Sequence, residues 1–361
     1  MTGLQIILEE RYATKKNLER ITQLSPDARV AVFHIRERYP MARIVRGGFR
    51  RTLPWFLYNP ISIKLDPLAE AQRLEWIYPP ISSSDVPNVL LYPPMAECSI
   101  AESLLNLLSP RWIHSITAGV DRIPSLPAEV LLTNSRGIHS LRIAEFTIGL
   151  IFALAKNIPQ HTFQTRRGIW KALPSDLIQK SRLGIVGLGS IGTEVARLAK
   201  AVGMKVWAIK REVIQVDFVD HVLPPKELPR FLSEVDYVVL AVPITKETRN
   251  LIGKEEFKLM KPTACLINIS RGRVVDETSL YQALKNGNIR AACIDVFQDE
   301  KPLPQNSQFY KLPNLLITSY SAYYSRDSTN QIMDLFFENL RRFVINEPLL
   351  NPVCPALHSP D

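Results

Sequence analysis

Residues 183–200 read LGIVGLGSIGTEVARLAK: an apolar run, a glycine turn and the opening of a helical pattern. Gly187, Gly189 and Gly192 stand in G-x-G-x-x-G spacing. That spacing alone is a weak signal; its place between a strand and a helix gives it weight. The first glycine permits the tight bend, the second lets the backbone approach a pyrophosphate, and the third lets helix and strand pack closely. The helix start then offers its unbonded N–H groups to the anion. The stretch predicts a doubly wound α/β domain that binds a dinucleotide.

The rest of the chain supports that class. From 182 onward, continuous apolar runs recur at 183–187, 205–209, 237–242, 264–269, 291–296 and 314–318. Such runs fit strands buried on both faces. Helical patterns at 190–202, about 226–233, about 254–260 and 277–286 separate the first five, and the last follows a loop. Before 135 a similar alternation occurs at 4–8, 29–35, 88–92, 112–116 and 129–134. Residues 36–75 break the rhythm and assign no elements. A long helix around 142–157 leads into the second domain. An amphipathic helix over 327–345, with Ile332, Leu335, Phe336, Leu340 and Phe343 on one side, leads back to the first.

Bulk properties exclude several classes. FTIGLIFALA (146–155) is too short to span a bilayer and reads as a buried helix, so no membrane association is expected. The N-terminus lacks the pattern of a secretory signal. Cys98, Cys265, Cys293 and Cys354 lie far apart with no metal spacing, which fits reduced thiols in the cytoplasm. The net charge of +9 is not arranged as one basic stripe with interleaved aromatics, so no nucleic-acid partner is expected. Part of the excess lies in 34–51, with Arg36, Arg38, Arg43, Arg46, Arg50 and Arg51. It reads as a solvated surface loop, with recognition of an anionic substrate or partner as the alternative.

At the end of the second strand of a dinucleotide domain, an acidic residue would accept hydrogen bonds from the adenosine ribose. Here Lys210 and Arg211 follow KVWAI instead. Two cations attract a 2′-phosphate, so NADP(H) is expected over NAD(H). Glu212 keeps NAD possible, because a two-residue shift restores an acceptor.

Three further stretches follow the glycine turn in order: INISRGRVVDETSLYQAL (267–284), AACIDVFQDEKPL (291–303) and PNLLITSYSAYY (313–324). With them the chain resembles the D-isomer-specific 2-hydroxyacid dehydrogenases, strongly from about 112 to 345. The resemblance implies two Rossmann-like domains. A doubly wound NAD(P)-binding domain, 147–323, would be nested in a split flavodoxin-like substrate domain, 1–146 plus 324–361. It also implies a small 2-oxo or 2-hydroxy acid as substrate, a cleft between the domains, and a homodimer. Arg271 resembles the arginine that binds the substrate carboxylate and carbonyl oxygen, a task suited to a two-pronged guanidinium. Asp295 resembles the residue that bonds the nicotinamide carboxamide. Glu300 resembles the acidic partner of the family's catalytic histidine, with Asp299 competing because Lys301 is inserted before the proline. Ser190 and Ile191 match the pyrophosphate turn. Val242, Pro243 and Thr248 match the cofactor edge, and Ile269 and Ser270 the nicotinamide side. In ITAGVD (116–121), Ala118 and Gly119 match backbone donors to the substrate carboxylate, and LYPPM (91–95) a substrate-side loop.

The pattern departs at one position. Where the family reads Thr-Pro-His, this chain reads Thr318-Ser319-Tyr320, and no histidine lies between 222 and 357. A phenol, with an ordinary pKa of about 10, is protonated at neutral pH and can supply a proton to a forming alkoxide. Tyr320 is thus the expected atypical donor, with Tyr323 or Tyr324 within reach of a loop adjustment and His139 as a remoter substitute. Three readings stay open. One is an active reductase using Tyr320. Another is a dinucleotide-sensing protein, similar in logic to the corepressors of this fold, whose chemistry has weakened. The third is a reductase acting on an unusual substrate whose oxygen needs no histidine.

Overall fold

The computed structural model describes residues 5–9, 12–25, 28–35, 74–78, 88–92, 110–121, 123–298, 303–324 and 328–353. The chain divides into two compact units, 1–138 with 326–361, and 139–325. The expected boundary at 146/147 cuts the connecting helix, which the observed division leaves whole in the second unit; the expected boundary at 323/324 lies two residues from the observed one.

The first unit holds β1 (Gln5–Glu9), α1 (Lys15–Leu24), β2 (Arg29–Ile35), β3 (Leu74–Tyr78), β4 (Asn88–Tyr92), β5 (Trp112–Ser115) and β6 (Leu131–Asn134). Among the described residues its sheet runs in the order β3-β2-β1-β4-β5-β6. All pairs are parallel except β2 with β3. The antiparallel edge strand β3 begins at the end of 36–75, where no period was legible, and runs past it. The tail helix α8 (Ser328–Val344) closes this unit. Its Ile332, Met333, Phe336, Phe337 and Leu340 are buried against Ile6, Leu8, Val89, Leu91 and Trp112. Phe336 stacks on Trp112 at 5.6 Å between ring centroids. Each such buried side chain contributes roughly 1.5–3 kcal/mol. Arg20 of α1 pairs with Asp334 at 2.7 Å while lying over the Phe337 ring.

The second unit begins with α2 (Ser140–Ala155) and α3 (Ile158–Thr165), broken at Asn157, whose φ is +51°. There follow β7 (Arg182–Val186), α4 (Ser190–Ala201), β8 (Lys205–Ile209), β9 (His221–Leu223), α5 (Leu228–Glu234), β10 (Tyr237–Leu240), α6 (Lys254–Leu259), β11 (Cys265–Asn268), α7 (Glu277–Lys285), β12 (Ala291–Ile294) and β13 (Leu315–Ile317). The sheet order is β13-β12-β11-β10-β7-β8-β9, parallel throughout. Strand order reverses between β7 and β10, the switch point of a doubly wound sheet.

Side-chain alternation explains why these runs are apolar throughout. Leu183, Ile185, Tyr237, Val239, Cys265, Ile267 and Cys293 face a core shared with α2 and α4. Val186, Val238, Leu240, Leu266, Ala292 and Ile294 face the opposite core, with α5, α6 and α7. A period of two sends successive residues to opposite faces, and here both faces are covered. Gly184 is required where Phe231 approaches: an added Cβ would meet its ring at 2.5 Å.

The helix expected to be buried is only half so. Ile143, Ala144, Thr147, Leu150, Ile151 and Leu154 face the core, but Leu141 and Phe152 are exposed. Among the described residues no helix is long and apolar enough to cross a membrane. Cys265 and Cys293 are buried free thiols, pushed up in pKa by that burial. Cys98, Cys354 and the arginine-rich segment 36–51 lie outside the described residues.

Candidate active site

The glycine turn has the geometry its spacing predicts. Gly187 follows β7 at φ +99°, and a Cβ there would meet the Ala241 carbonyl oxygen at 2.5 Å. Its N–H donates to Ile209 O at 3.1 Å, tying the turn to β8. A Cβ on Gly192 would run into the Gly187 carbonyl. Gly189 caps α4, and a Cβ there would project into open space. Ser190 is exposed and Ile191 half-buried, and the first turn of α4 carries no acid. Unbonded N–H groups, an unobstructed approach and no opposing carboxylate fit a pyrophosphate.

Beside this turn, β8 ends at Ile209, and Lys210 N–H donates to Leu223 O at 3.0 Å. Lys210 is half-buried, while Arg211 and Glu212 are exposed. Glu247 is held below the usual carboxylate range, chiefly by its bond to the Thr245 hydroxyl, with Arg211 adding charge attraction. The loop after β10 is closed on itself. Thr248 Oγ1 donates to Pro243 O at 2.6 Å and accepts from Thr245 N–H at 2.8 Å. Val242 packs against the core beneath.

Three adjacent strands, β11, β12 and β13, end at the same side of the sheet and carry the reactive candidates. After β11, Ile269 and Ser270 are buried and Arg271 is half-buried. Arg271 Nη1 donates to Ser270 O at 3.0 Å. The next residue, Gly272, leaves no room for a Cβ, which would fall on the Phe297 carbonyl. After β12, Asp295 is buried and organises the turn that follows β13. Its Oδ1 accepts from the Thr318 hydroxyl at 2.6 Å and from Ser321 N–H at 2.9 Å; its Oδ2 accepts from Ala322 N–H at 3.2 Å. Its carbonyl accepts from Tyr320 N–H at 3.0 Å.

Tyr320 is 41% exposed and sits at φ +53°. The left-handed region is costly for an aromatic residue, about 1–3 kcal/mol, and persists only where the surroundings impose it. Asp295 imposes it from both flanks. The Tyr320 ring meets Tyr323 edge-on at 5.0 Å, and Tyr323 meets His139 at 5.8 Å. Burial, with Arg142 nearby, pushes the His139 imidazole down in pKa, and its buried Nδ1 finds no partner among the described residues. A neutral imidazole is a poor proton donor, which argues against His139 as the acid. Glu300 and Asp299 lie outside the described residues.

In the first unit, the loop after β5 is tied back through its carbonyls. Asn134 Nδ2 donates to Ala118 O at 2.7 Å, and Thr117 Oγ1 donates to Gly119 O at 2.7 Å. Among the described residues the N–H groups of Ala118 and Gly119 are given no acceptor in the chain. Beneath lies a buried polar chain. Trp112 Nε1 donates to Thr133 Oγ1 at 2.9 Å, Thr133 Oγ1 meets His114 Nδ1 at 2.7 Å, and His114 Nε2 meets Ser135 Oγ at 3.3 Å. Ser135 Oγ donates onward to Ser115 O at 2.9 Å. Burial lowers the His114 pKa to about 3, so the ring is neutral at pH 7.

Sequence reasoning did not single out Asn268, Thr318 or Asn134 for roles. Each is a polar residue at the end of an apolar strand, and that signal would have found them.

The comparisons agree with this architecture. Residues 148–322 match the family model described as D-isomer specific 2-hydroxyacid dehydrogenase, NAD binding domain. The chain is 37% identical over 246 residues to a glyoxylate reductase of Korarchaeum cryptofilum, covering 64% of this chain and 73% of that one. It is 30% identical over 331 residues to a glyoxylate reductase of Aeropyrum pernix, covering 87% and 93%. Its fold is similar to that of an NADPH-dependent glyoxylate/hydroxypyruvate reductase of Sinorhizobium meliloti, crystallised with NADP and sulfate. There the TM-score is 0.73 at 20% identity, over 98% of this chain and 99% of that one. Matched along nearly the whole length of a relative, the chain belongs to the D-isomer-specific 2-hydroxyacid dehydrogenase family of NAD(P)-dependent enzymes.

Proposed function

We propose that the protein reduces a 2-oxo acid to a D-2-hydroxy acid and prefers NADPH to NADH. The observation that carries this reading is the arrangement of the turns after β11, β12 and β13. It presents a guanidinium, Arg271, and a phenol, Tyr320, from strand ends on either side of β12, tied together through Asn268 and Asp295. When bound, the cofactor supplies a hydride to the carbonyl carbon. Arg271 binds the carboxylate and stabilises the charge that develops on the carbonyl oxygen. Tyr320 donates the proton that oxygen needs. Ala118 and Gly119 offer N–H groups to the carboxylate. Asp295, with lone pairs remaining on Oδ2, accepts from the nicotinamide carboxamide. Val242, Pro243, Thr248, Ile269 and Ser270 line the cofactor's course, and Lys210 with Arg211 binds a 2′-phosphate. Glu300 or Asp299 supplies the acidic group.

The chain's assembly and place follow the same reading. The exposed apolar residues of 141–177, with Trp170 at 97% and Leu177 at 77%, suit burial against a second copy. The buried free thiols suit a reducing cytoplasm.

The test is to follow NADPH and NADH oxidation by the purified protein against glyoxylate, hydroxypyruvate and bulkier 2-oxo acids. Turnover with NADPH that collapses in Arg271→Ala is expected. Measurable NADPH binding without turnover on any acid contradicts the reductase and favours the dinucleotide sensor.

A further inference from the structure

β11 is apolar until its last residue. Asn268 closes it, fully buried beside Ile267. A buried amide must place two donors and an acceptor oxygen, and its choice of partners shows what it holds. Asn268 Oδ1 accepts from Ser270 N–H at 3.1 Å and from Ser270 Oγ at 2.9 Å. Its Nδ2 donates to Arg271 O at 3.0 Å. All of these side-chain bonds go to Ser270 and Arg271, the second and third residues along the loop. The main chain of the same residue ties the loop to the neighbouring strand, because Asn268 O accepts from Asp295 N–H at 3.0 Å. Asp295 O accepts in turn from Tyr320 N–H at 3.0 Å. A bonded path therefore runs from Arg271 through Asn268 and Asp295 to Tyr320.

We infer that Asn268 is a positioning residue for the reduction: its amide fixes the Arg271 main chain so that the guanidinium meets the substrate in one geometry. This rests on the reductase reading and on the proposed role of Arg271. The loop has little other freedom, since Gly272 is pressed against the Phe297 carbonyl. Loss of the amide clamp thus releases Ser270 and Arg271 while the residues beyond stay put. Asn268→Asp keeps the acceptor for Ser270 and turns a carboxylate oxygen toward the Arg271 carbonyl, where a donor stood. The repulsion moves the arginine, not the cofactor turn at Gly187.

The test compares wild type, Asn268→Asp, Arg271→Ala and the double variant. The readouts are kcat/KM for the best 2-oxo acid, NADPH affinity, and binding of oxamate, a non-reducible 2-oxo acid isostere, to the NADPH-loaded protein. Asn268→Asp is expected to lower kcat/KM on the order of 10²-fold, the effect of a small misplacement of a positioning group. NADPH affinity should fall only a few-fold, because Ser270 is one of several residues along the cofactor's course. In the Arg271→Ala background the same substitution should cost almost nothing more, because one interaction has already been lost. Should Asn268→Asp not fold, Asn268→Ala removes the clamp without adding a charge and should show the same pattern. Asn314→Ala is the structural control: Asn314 ties Leu284 O and Arg290 O at the other end of the sheet, and its loss should lower Tm with kcat/KM intact. Additive losses in the double variant, or full kcat/KM in Asn268→Asp beside a collapsed Arg271→Ala, overturn the inference and leave the reductase standing. A wild type that binds oxamate through Arg271 without turnover removes the reductase. In that event the inference stands only if Asn268→Asp weakens oxamate binding. A wild type that neither turns over nor binds oxamate removes both.

Discussion

The two units meet the same demand by different means. Each must hold a polar loop rigid at the end of a parallel sheet. In the first unit, the loop 116–121 is tied by side chains from below: Asn134 and Thr117 take its carbonyls, over a buried, neutral histidine. In the second, the strand ends brace one another sideways: Asn268 holds the Arg271 loop and Asp295 holds the Tyr320 turn. The first device leaves backbone N–H groups on offer; the second leaves side chains on offer. A loop meant to bind through N–H must have its carbonyls occupied, and a turn meant to present a side chain must have its main chain fixed.

The lateral bracing is tested most severely at Gly272. Gly272→Ala places a methyl on the Phe297 carbonyl and should destabilise the second unit by more than about 4 kcal/mol, above the roughly 1–3 kcal/mol usual for overpacking, because the clash is with backbone. Thermal unfolding would measure it, and a loss below about 1 kcal/mol would mean the two loops separate easily.

The first unit should instead be sensitive to acid. The His114 pKa is about 3 in the fold against 6.5 ordinarily, so the unfolded chain binds the extra proton. Stability is therefore full above pH 6.5 and is lost as pH falls from 6.5 toward 3. Linkage puts the loss near 2 kcal/mol by pH 5. Hydrogen-exchange protection factors in β5 and β6, corrected for the intrinsic rate at each pH, should fall over that window in wild type and less steeply in His114→Gln. Equal slopes would assign the acid sensitivity elsewhere.

Smaller effects separate the two loops by kinetics. Thr318→Val removes the shortest bond to Asp295 and should lower kcat about tenfold, the size of one lost charge-assisted bond. Asn134→Ala frees the Ala118 carbonyl and should raise KM for the oxo acid a few-fold, about 1 kcal/mol, with kcat retained. The reverse pattern in steady-state kinetics would exchange the roles given to the two units.

Much of the second unit was legible because its strands are buried on both faces and read as unbroken apolar runs. Edge strands β3 and β9 were not: β3 opens at the end of the unperiodic stretch 36–75, and β9 is a three-residue strand, HVL. The break in the connecting helix at Asn157 is a single left-handed residue without a glycine to mark it. At the site, the SRGR loop and the glycine turn were legible as local spacing. The bracing was not: Asp295 and Thr318 are 23 residues apart, and nothing local says that a carboxylate read as a cofactor ligand also holds a turn. The left-handed backbone of Tyr320 was equally hidden, although it is the feature that most sets this turn apart.

The central claim is that Tyr320 supplies the proton. It is tested most directly by single-turnover reduction with Tyr320→Phe, which keeps the ring against Tyr323 and removes the hydroxyl. With NADPH binding intact, the rate of the chemical step should fall about 10²- to 10⁴-fold, the range for a lost general acid. An unchanged rate in that variant would contradict the account and return the search for the proton donor to the other groups of the site.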